Sequence, residues 1–481
     1  MQLRDSLEEN KSILKELLPI GKSFDLITRD LALGDTQAFF LGVNGMCKTD
    51  VLQQIISDLQ NPMFTLDRTI DHLAEYINAK LGYAQVTLVD SFHLILSNVL
   101  SGPVALLLEG FSRAVIIDIR TYPTRSISEP ENERITKGAR DGFVETMLFN
   151  ANLIRRRIRS PRLTFELHHV GSQSKSDVSL VYLDDLADPD LCNAIGEKLE
   201  KLNISSLTMG TKSLEELLVR KSWWHPLPSI LSTERPDLAC SYLSEGHILL
   251  LIDNSPLVLV LPCTIFQFTQ SVEDYYKTPL AGSYFRLVRF LCVPVNLFLL
   301  PLFLLIGAYY PQLSQRLTLL PTSSPGKGHL IFYVFAVEFL LELFRYSGSL
   351  SSGRFSGSLS IVGGLIIGDM AVSLNWASSE VLFYAAITML SSLSLSSLEL
   401  ADAIRIYRLF LLVCTALAGT GGLIFGTLLV LVSVITTPTF GHMSYFWPLV
   451  PFEPKALKNL LIRTPTYQAQ PSRIWNRKGP H

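Results

Sequence analysis

Few residues in this chain have the types and spacing to do chemistry, and the clearest group sits in an apolar stretch. Glu338, Glu342 and Arg345 fall inside the run Leu330–Tyr346, with Ser349 just beyond it. On one helix, at about 100° per residue, the four lie within about 60° of one another and form one polar stripe. A charge at the centre of a bilayer costs roughly 2.5–3.5 kcal/mol on insertion scales, so it faces protein or water. Such a stripe can line a pore or cavity, and its carboxylates would set a preference for cations. The same stripe also fits a helix lying flat, with its polar face among the headgroups.

Two further groups stand nearby. Asp369 is the lone charge of Leu359–Leu374, beside Gly363, Gly364 and Gly368. Glycines let membrane helices approach closely. They read as packing positions, with Asp369 either paired to an arginine of a neighbouring helix or placed on the ion path. Asp402, Arg405 and Arg408 lie between two apolar segments. The i,i+3 spacing of Asp402 and Arg405 reads as a local ion pair.

Enzyme chemistry finds no foothold. There is no P-loop, no G-x-G-x-x-G, no H-E-x-x-H and no G-x-S-x-G. The six cysteines form no C-x-x-C pair and the nine histidines show no metal-ligand spacing. The chain is therefore expected to be no enzyme, with no catalytic residue, metal or cofactor. Asp118 and Asp253, at strand ends, read as turn and surface carboxylates.

The elements that hold these groups divide sharply in composition. Residues 285–445 contain 14 charged residues in 161, about 9%, against about 22% elsewhere. The low-charge region is expected to be an all-α, polytopic membrane domain. Its uncharged runs are Phe290–Tyr310, Val381–Leu398 and Leu409–Thr436. Gly419, Gly421 and Gly422 make the last either one long tilted span or two broken halves. Four to six helices fit.

Residues 1–284 carry a net charge of −9, which excludes nucleic-acid binding. Residues 446–481 form a tail of net charge +5, expected on the cytoplasmic side. The N-terminus has no long apolar core and is no signal peptide, so both termini are expected in the cytoplasm. Residues 1–33 read as an amphipathic helix. The apolar run Ala38–Val43 makes 35–44 an expected strand, and a helix is expected over 49–59. VALLLEGFSRAVIIDIR at 104–120 and ILLLIDNSPLVLVLP at 248–262 are each two β-rich runs around a turn. They predict an α/β soluble region of two subdomains, about 35–120 and 121–284, each with a β-hairpin and helices. Asp274-Tyr275-Tyr276, Arg286 and Arg289 read as interfacial anchors of the first span.

Several stretches together resemble the A-subunit family of bacterial spore germination receptors. They are RSISEP at 125–130, TKGARDGFVE at 136–145, NLIRRRI at 152–158, ERPDLACSYL at 234–243, DNSP at 253–256, QSVEDYY at 270–276 and SIVGGLIIG at 360–368. They run in the family's order, from about residue 35 to 455. The resemblance implies a multi-pass protein of the inner spore membrane, active in germination. It implies self-oligomers, partnership with other spore membrane proteins, contact with membrane lipid, and passage of monovalent cations. Residues 344–358 lack the proline usual in receptors, and 369–384 and 441–451 also depart from their pattern. These departures point away from direct nutrient sensing, toward a partner-dependent ion-release channel. The alternative is a non-conducting germinant-sensing or scaffolding subunit.

Overall fold

The computed structural model describes residues 1–33, 36–60, 75, 85–121, 133, 137–219, 224–316, 326–350, 370, 372–373, 378–440 and 444–463. Gly363, Gly364, Gly368 and Asp369 lie outside the described residues. The chain forms two compact units. One holds Met1–Arg220 and Ile230–Cys263, the other Lys221–Ser229 and Thr264–Thr466.

The first unit contains the same motif twice. Its first half runs α1 (Leu7–Leu17), β1 (Leu26–Leu33), β2 (Thr36–Val43), α2 (Thr49–Leu59), β3 (Gln85–Val89), α3 (Phe92–Val99), β4 (Val104–Leu108) and β5 (Ala114–Asp118). The second runs α4 (Met147–Arg157), β6 (Leu163–Val170), β7 (Ser176–Leu183), α5 (Pro189–Glu200), α6 (Thr211–Leu218), β8 (Leu231–Thr233), α7 (Pro236–Ser244), β9 (Ile248–Ile252) and β10 (Val258–Leu261). The strand orders are β1-β2-β4-β5-β3 and β6-β7-β9-β10-β8. These are one topology, antiparallel throughout. The two hairpins expected from sequence are β4–β5 and β9–β10. Each turn holds a residue with positive φ, Gly110 at +84° and Asn254 at +63°, the types that tolerate it.

The expected helix over 1–33 is corrected: it stops at Leu17, and Leu26–Leu33 is a strand. Pro19 cannot continue the helix, and β1 finds eight partners in β2, from Leu26 opposite Val43 to Leu33 opposite Thr36. Alternation then buries both faces of the first sheet. Phe39, Leu41, Ala105, Leu107 and Ile116 pack under α1 and α3. Phe40, Leu106, Val115 and Ile117 face Ile55 of α2.

One buried polar joint ties the two halves. Arg155, fully buried, donates to Asp25 Oδ2 at 2.7 Å and to the Ser160 and Leu163 carbonyls at 2.8 Å. Its guanidinium lies 5.2 Å from the Phe165 ring centroid. Ser23 Oγ donates to Asp25 Oδ1 and accepts from the Phe165 N–H at 2.9 Å. All of the charge on this pair is compensated, which is what burial requires. Arg155 belongs to the NLIRRRI stretch, so that part of the resemblance marks a structural joint.

The second unit is helical: α8 (Glu273–Tyr276), α9 (Pro279–Tyr309), α10 (Pro311–Arg316), α11 (Lys327–Leu350), α12 (Ser379–Leu393), α13 (Leu398–Thr436) and α14 (Pro454–Leu461). Ser378 and Ser397 cap α12 and α13 through Val381 and Leu400 N–H. The loop at 224–229 joins this unit: His225 Nδ1 lies 3.3 Å from Ser433 Oγ, and the Pro228 carbonyl accepts from Tyr445 at 2.6 Å.

Of the two readings of Leu409–Thr436, the broken one holds. Gly419 adopts φ +56°, ψ −129° inside α13. Tyr407 and Ser433 hydroxyls then meet at 2.7 Å. In a straight helix these residues, 26 apart, would be separated by about 39 Å. Gly426 packs against Leu411 and Cys414. The two arms, 398–418 and 420–436, are thus an antiparallel hairpin.

Candidate functional site

Three helices bring the sequence's charged groups together as a seam. Its direction follows from their packing. α9 and the first arm of α13 run the same way: Arg408 Nη1 donates to Asn296 Oδ1, and Tyr309 donates to the Ala416 carbonyl at 2.8 Å. α11 runs the opposite way, Gly307 lying against Leu330 near its start. Antiparallel neighbours align Glu338 with Arg408 and Glu342 with Arg405. Their i,i+4 and i,i+3 spacings match across the helix pair.

At the deep end, Glu338 and Arg408 are 2% and 4% exposed. Arg408 Nε donates to Glu338 Oε1 at 2.8 Å, and Nη2 reaches the same oxygen. Asn296, fully buried, completes this group. In the middle, Arg405 Nη1 donates to Glu342 Oε1 at 3.1 Å. At the open end, Arg345 donates to Glu342 Oε2 at 3.1 Å and to Asp402 Oδ1 at 2.9 Å. Arg405 also pairs with Asp402, the local pair the spacing predicts. Three carboxylates thus face three guanidiniums, and the seam is neutral.

Its surroundings explain the order. Leu300, Phe303, Leu304, Val334, Val337 and Leu412 pack around the deep pair. Among the described residues, Glu338 Oε2 and Asn296 Nδ2 are buried without a hydrogen-bond partner. Glu338, Glu342 and the three arginines line a cavity of about 30 Å³ together with Ser392 and Met389. That volume holds at most about two waters. An unmatched carboxylate oxygen beside such a space is a seat for water.

Sequence reasoning kept these residues in two separate groups. It treated Asp402 and Arg405 as a local ion pair, left Arg408 beside them without a partner, and passed over Asn296, an uncharged residue within a span. The signal for joining them was the matched spacing of opposite charges in two apolar segments.

Arg286 and Arg289, expected as interfacial anchors, are instead buried in protein. Both bond Asp274, which is 1% exposed, and Arg289 also donates to the Thr269 carbonyl at 2.7 Å. Asp118 and Asp253 hold local structure. The first chelates Arg120 and the second accepts the Met147 N–H at 3.1 Å, at the start of α4. Among the described residues no group of three His, Cys, Asp or Glu could hold a metal ion.

An N-terminal α/β region with two sheets of one topology, followed by an apolar helical unit with charges at its heart, defines an architecture that can be compared with known proteins. The Bacillus/Clostridium GerA spore germination protein model matches residues 12–473, and the chain belongs to this family. It is 32% identical to Stage V sporulation protein AF of Bacillus subtilis, over 96% of this chain and 94% of that one. It is 28% identical to Spore germination protein B1 of the same organism, over 97% and 96%. A solved structure, the N-terminal domain of the A subunit of the Bacillus megaterium spore germinant receptor GerK3, covers 54% of this chain and 96% of its own, at 24% identity and TM-score 0.42.

Proposed function

We propose that this chain is a membrane subunit of the spore germination machinery, and that its charged seam controls ion passage when assembled with partner proteins. Family membership supports the germination role. Two of the described helices are long and apolar enough to cross a membrane, Pro279–Tyr309 and Leu398–Thr436. The second, folded at Gly419, supplies two passes. α11 ends beside Asp402, whereas α12 starts at the opposite end, near Phe303, and returns. An even number of crossings places the N-terminal region (1–284) and the tail (446–481) on one side, in the cytoplasm. The membrane is the inner spore membrane.

The observation that carries the reading is the pair Glu338–Arg408, buried with Asn296 among apolar helices. As arranged, it is shut: each carboxylate is held by an arginine. Passage of a monovalent cation requires the arginines to move aside, which a rearrangement of α11 against α13 in a self-oligomer, or with other spore membrane proteins, would supply. Neither enzyme chemistry nor a cofactor enters this account. Asp369, with Gly363, Gly364 and Gly368, remains a further candidate on the path. The direct test is cation flux through the full chain reconstituted with its partners, wild type against Glu338→Gln and Glu342→Gln. Loss of flux or of selectivity supports the seam as the path; unchanged flux overturns it.

The charge balance of the seam favours a second reading, a non-conducting sensing or scaffolding subunit whose seam only locks helices. On that reading, replacing Glu338 and Arg408 together by leucine preserves germination.

A further inference from the structure

A second charged cluster, remote in sequence from the seam, lies where α9 begins. Two arginines hold one carboxylate, and a third lies beside them. Arg286 Nε contacts Asp274 Oδ2 at 3.4 Å, and its Nη1 donates to the Asn459 carbonyl at 3.1 Å. Arg289 pairs with Asp274 Oδ1. Arg463, just beyond α14, donates to the Tyr275 carbonyl at 2.7 Å and to the Lys277 carbonyl, while its own N–H bonds Ser283 Oγ at 3.0 Å. The C-terminal segment is thereby strapped across the first turns of α9. Gly282 makes the crossing fit: a Cβ there would stand 2.6 Å from the Asp274 carbonyl oxygen and 3.0 Å from Arg463 Cδ.

Two features of this cluster are unexplained by the protein alone. Positive charge exceeds negative, since Arg286 and Arg289 share Asp274 while Arg463 donates to backbone carbonyls. Arg286 Nη2 and Arg463 Nε are also buried without a hydrogen-bond partner among those residues. A buried guanidinium N–H left unmatched is costly, and an oxyanion is the group that satisfies it. Gly282 and Arg286 are i,i+4, so Arg463 and Arg286 meet on one face of α9.

The position says which oxyanion. The cluster stands at the start of α9, immediately before the uncharged stretch that begins at Phe290. Tyr275, Tyr276, Tyr284 and Phe285 are exposed around it, as at a headgroup-level belt. Lys455 and Lys458 are exposed on α14, the helix whose Asn459 carbonyl accepts from Arg286.

We propose that Arg286 and Arg463 form a binding site for the phosphate of an anionic phospholipid, with Lys455 and Lys458 guiding the headgroup. The site rests on the membrane reading above but not on ion conduction. Its occupant fastens the C-terminal segment to the base of α9.

The test uses the full chain, purified in detergent. Native mass spectrometry and thermal shift are read with phosphatidylglycerol, with phosphatidylcholine and with inorganic phosphate. The wild type is expected to bind phosphatidylglycerol saturably and gain thermal stability, with no gain from the other two. Lys455→Gln with Lys458→Gln, which leaves the buried arginines intact, is expected to weaken phosphatidylglycerol binding about fivefold per cation removed. Arg463→Gln is expected to abolish the stabilisation. Equal binding of the two lipids, or variants that bind as wild type does, overturns the site. An equal gain from inorganic phosphate reassigns it to a soluble anion and overturns the lipid. Carbonate extraction of cell membranes separates these failures from failure of the membrane reading, which alone would release the chain.

Discussion

At the scale of residues, Glu338 and Arg408 form a pair whose worth lies mainly in being complete. Removing one partner strands the other charge among apolar helices, at about 3–5 kcal/mol. Removing both strands no charge and leaves only the neutral Asn296 amide short of a partner. The expected outcome is strong destabilisation of the full chain by Glu338→Leu or Arg408→Leu, and recovery of most of it in the double variant. Thermal unfolding in detergent reads this; additive losses would contradict the pairing.

In the first unit, His247 is fully buried, with Nδ1 2.9 Å from the Pro262 carbonyl, and burial pushes its pKa down to about 4 from 6.5. The folded form therefore resists the proton that the unfolded chain accepts. Stability is unaffected above about 6.5 and falls as pH drops from there toward 4, by about 3 kcal/mol in all. Hydrogen exchange of the β9 and β10 peptides in the full chain is expected to quicken over that window. In His247→Gln the slope should flatten.

What the sequence conveyed at this scale was the stripe, because carboxylates inside an apolar run are conspicuous. Their partners stood 63 and 70 positions away, beyond the reach of helical spacing.

At the scale of elements, Gly419 is the decisive position. Its φ of +56° with ψ of −129° belongs to a region that L side chains avoid, and an added Cβ would sit 2.7 Å from Tyr309 Cε1. Gly419→Ala is expected to cost about 1–3 kcal/mol through backbone strain alone, with the Tyr309 clash in addition. The hairpin itself is open to labelling in sealed vesicles. Single cysteines at Ser397 and Thr437 should react from the same side and one at Thr420 from the other. Opposite sides for 397 and 437 would restore a single long helix.

Composition flagged this glycine cluster, yet left one long tilted span and two broken halves both open, since glycines also occur within continuous membrane helices. The β4–β5 and β9–β10 hairpins were legible because apolar runs flank unmistakable turn residues. β1 was not. LITRDLAL sets three consecutive polar residues, Thr28-Arg29-Asp30, between apolar ones, a pattern that fits a helix as well as a strand, and only pairing with β2 decides it. β8, three residues long, has too little pattern to read at all.

At the scale of the whole molecule, the soluble unit repeats one topology twice, while the helical unit gathers charge at two places, a neutral seam within and a positive collar at the start of α9. The low-charge composition of 285–445 announced the helical unit, and the germination-family stretches announced its kinship. The pairing of the seam, hinted at only by matched spacing of opposite charges, was settled when the fold placed α11 against α13.

The account's central claim is that ion movement depends on that pairing. Cation efflux from liposomes holding the full chain and its partners tests it most directly, with Glu338→Gln and Glu342→Gln each compared with wild type. The account expects altered rate or ion selectivity in both variants, with the protein still folded and inserted. Efflux identical to wild type in rate and selectivity would contradict it and leave the seam a structural lock.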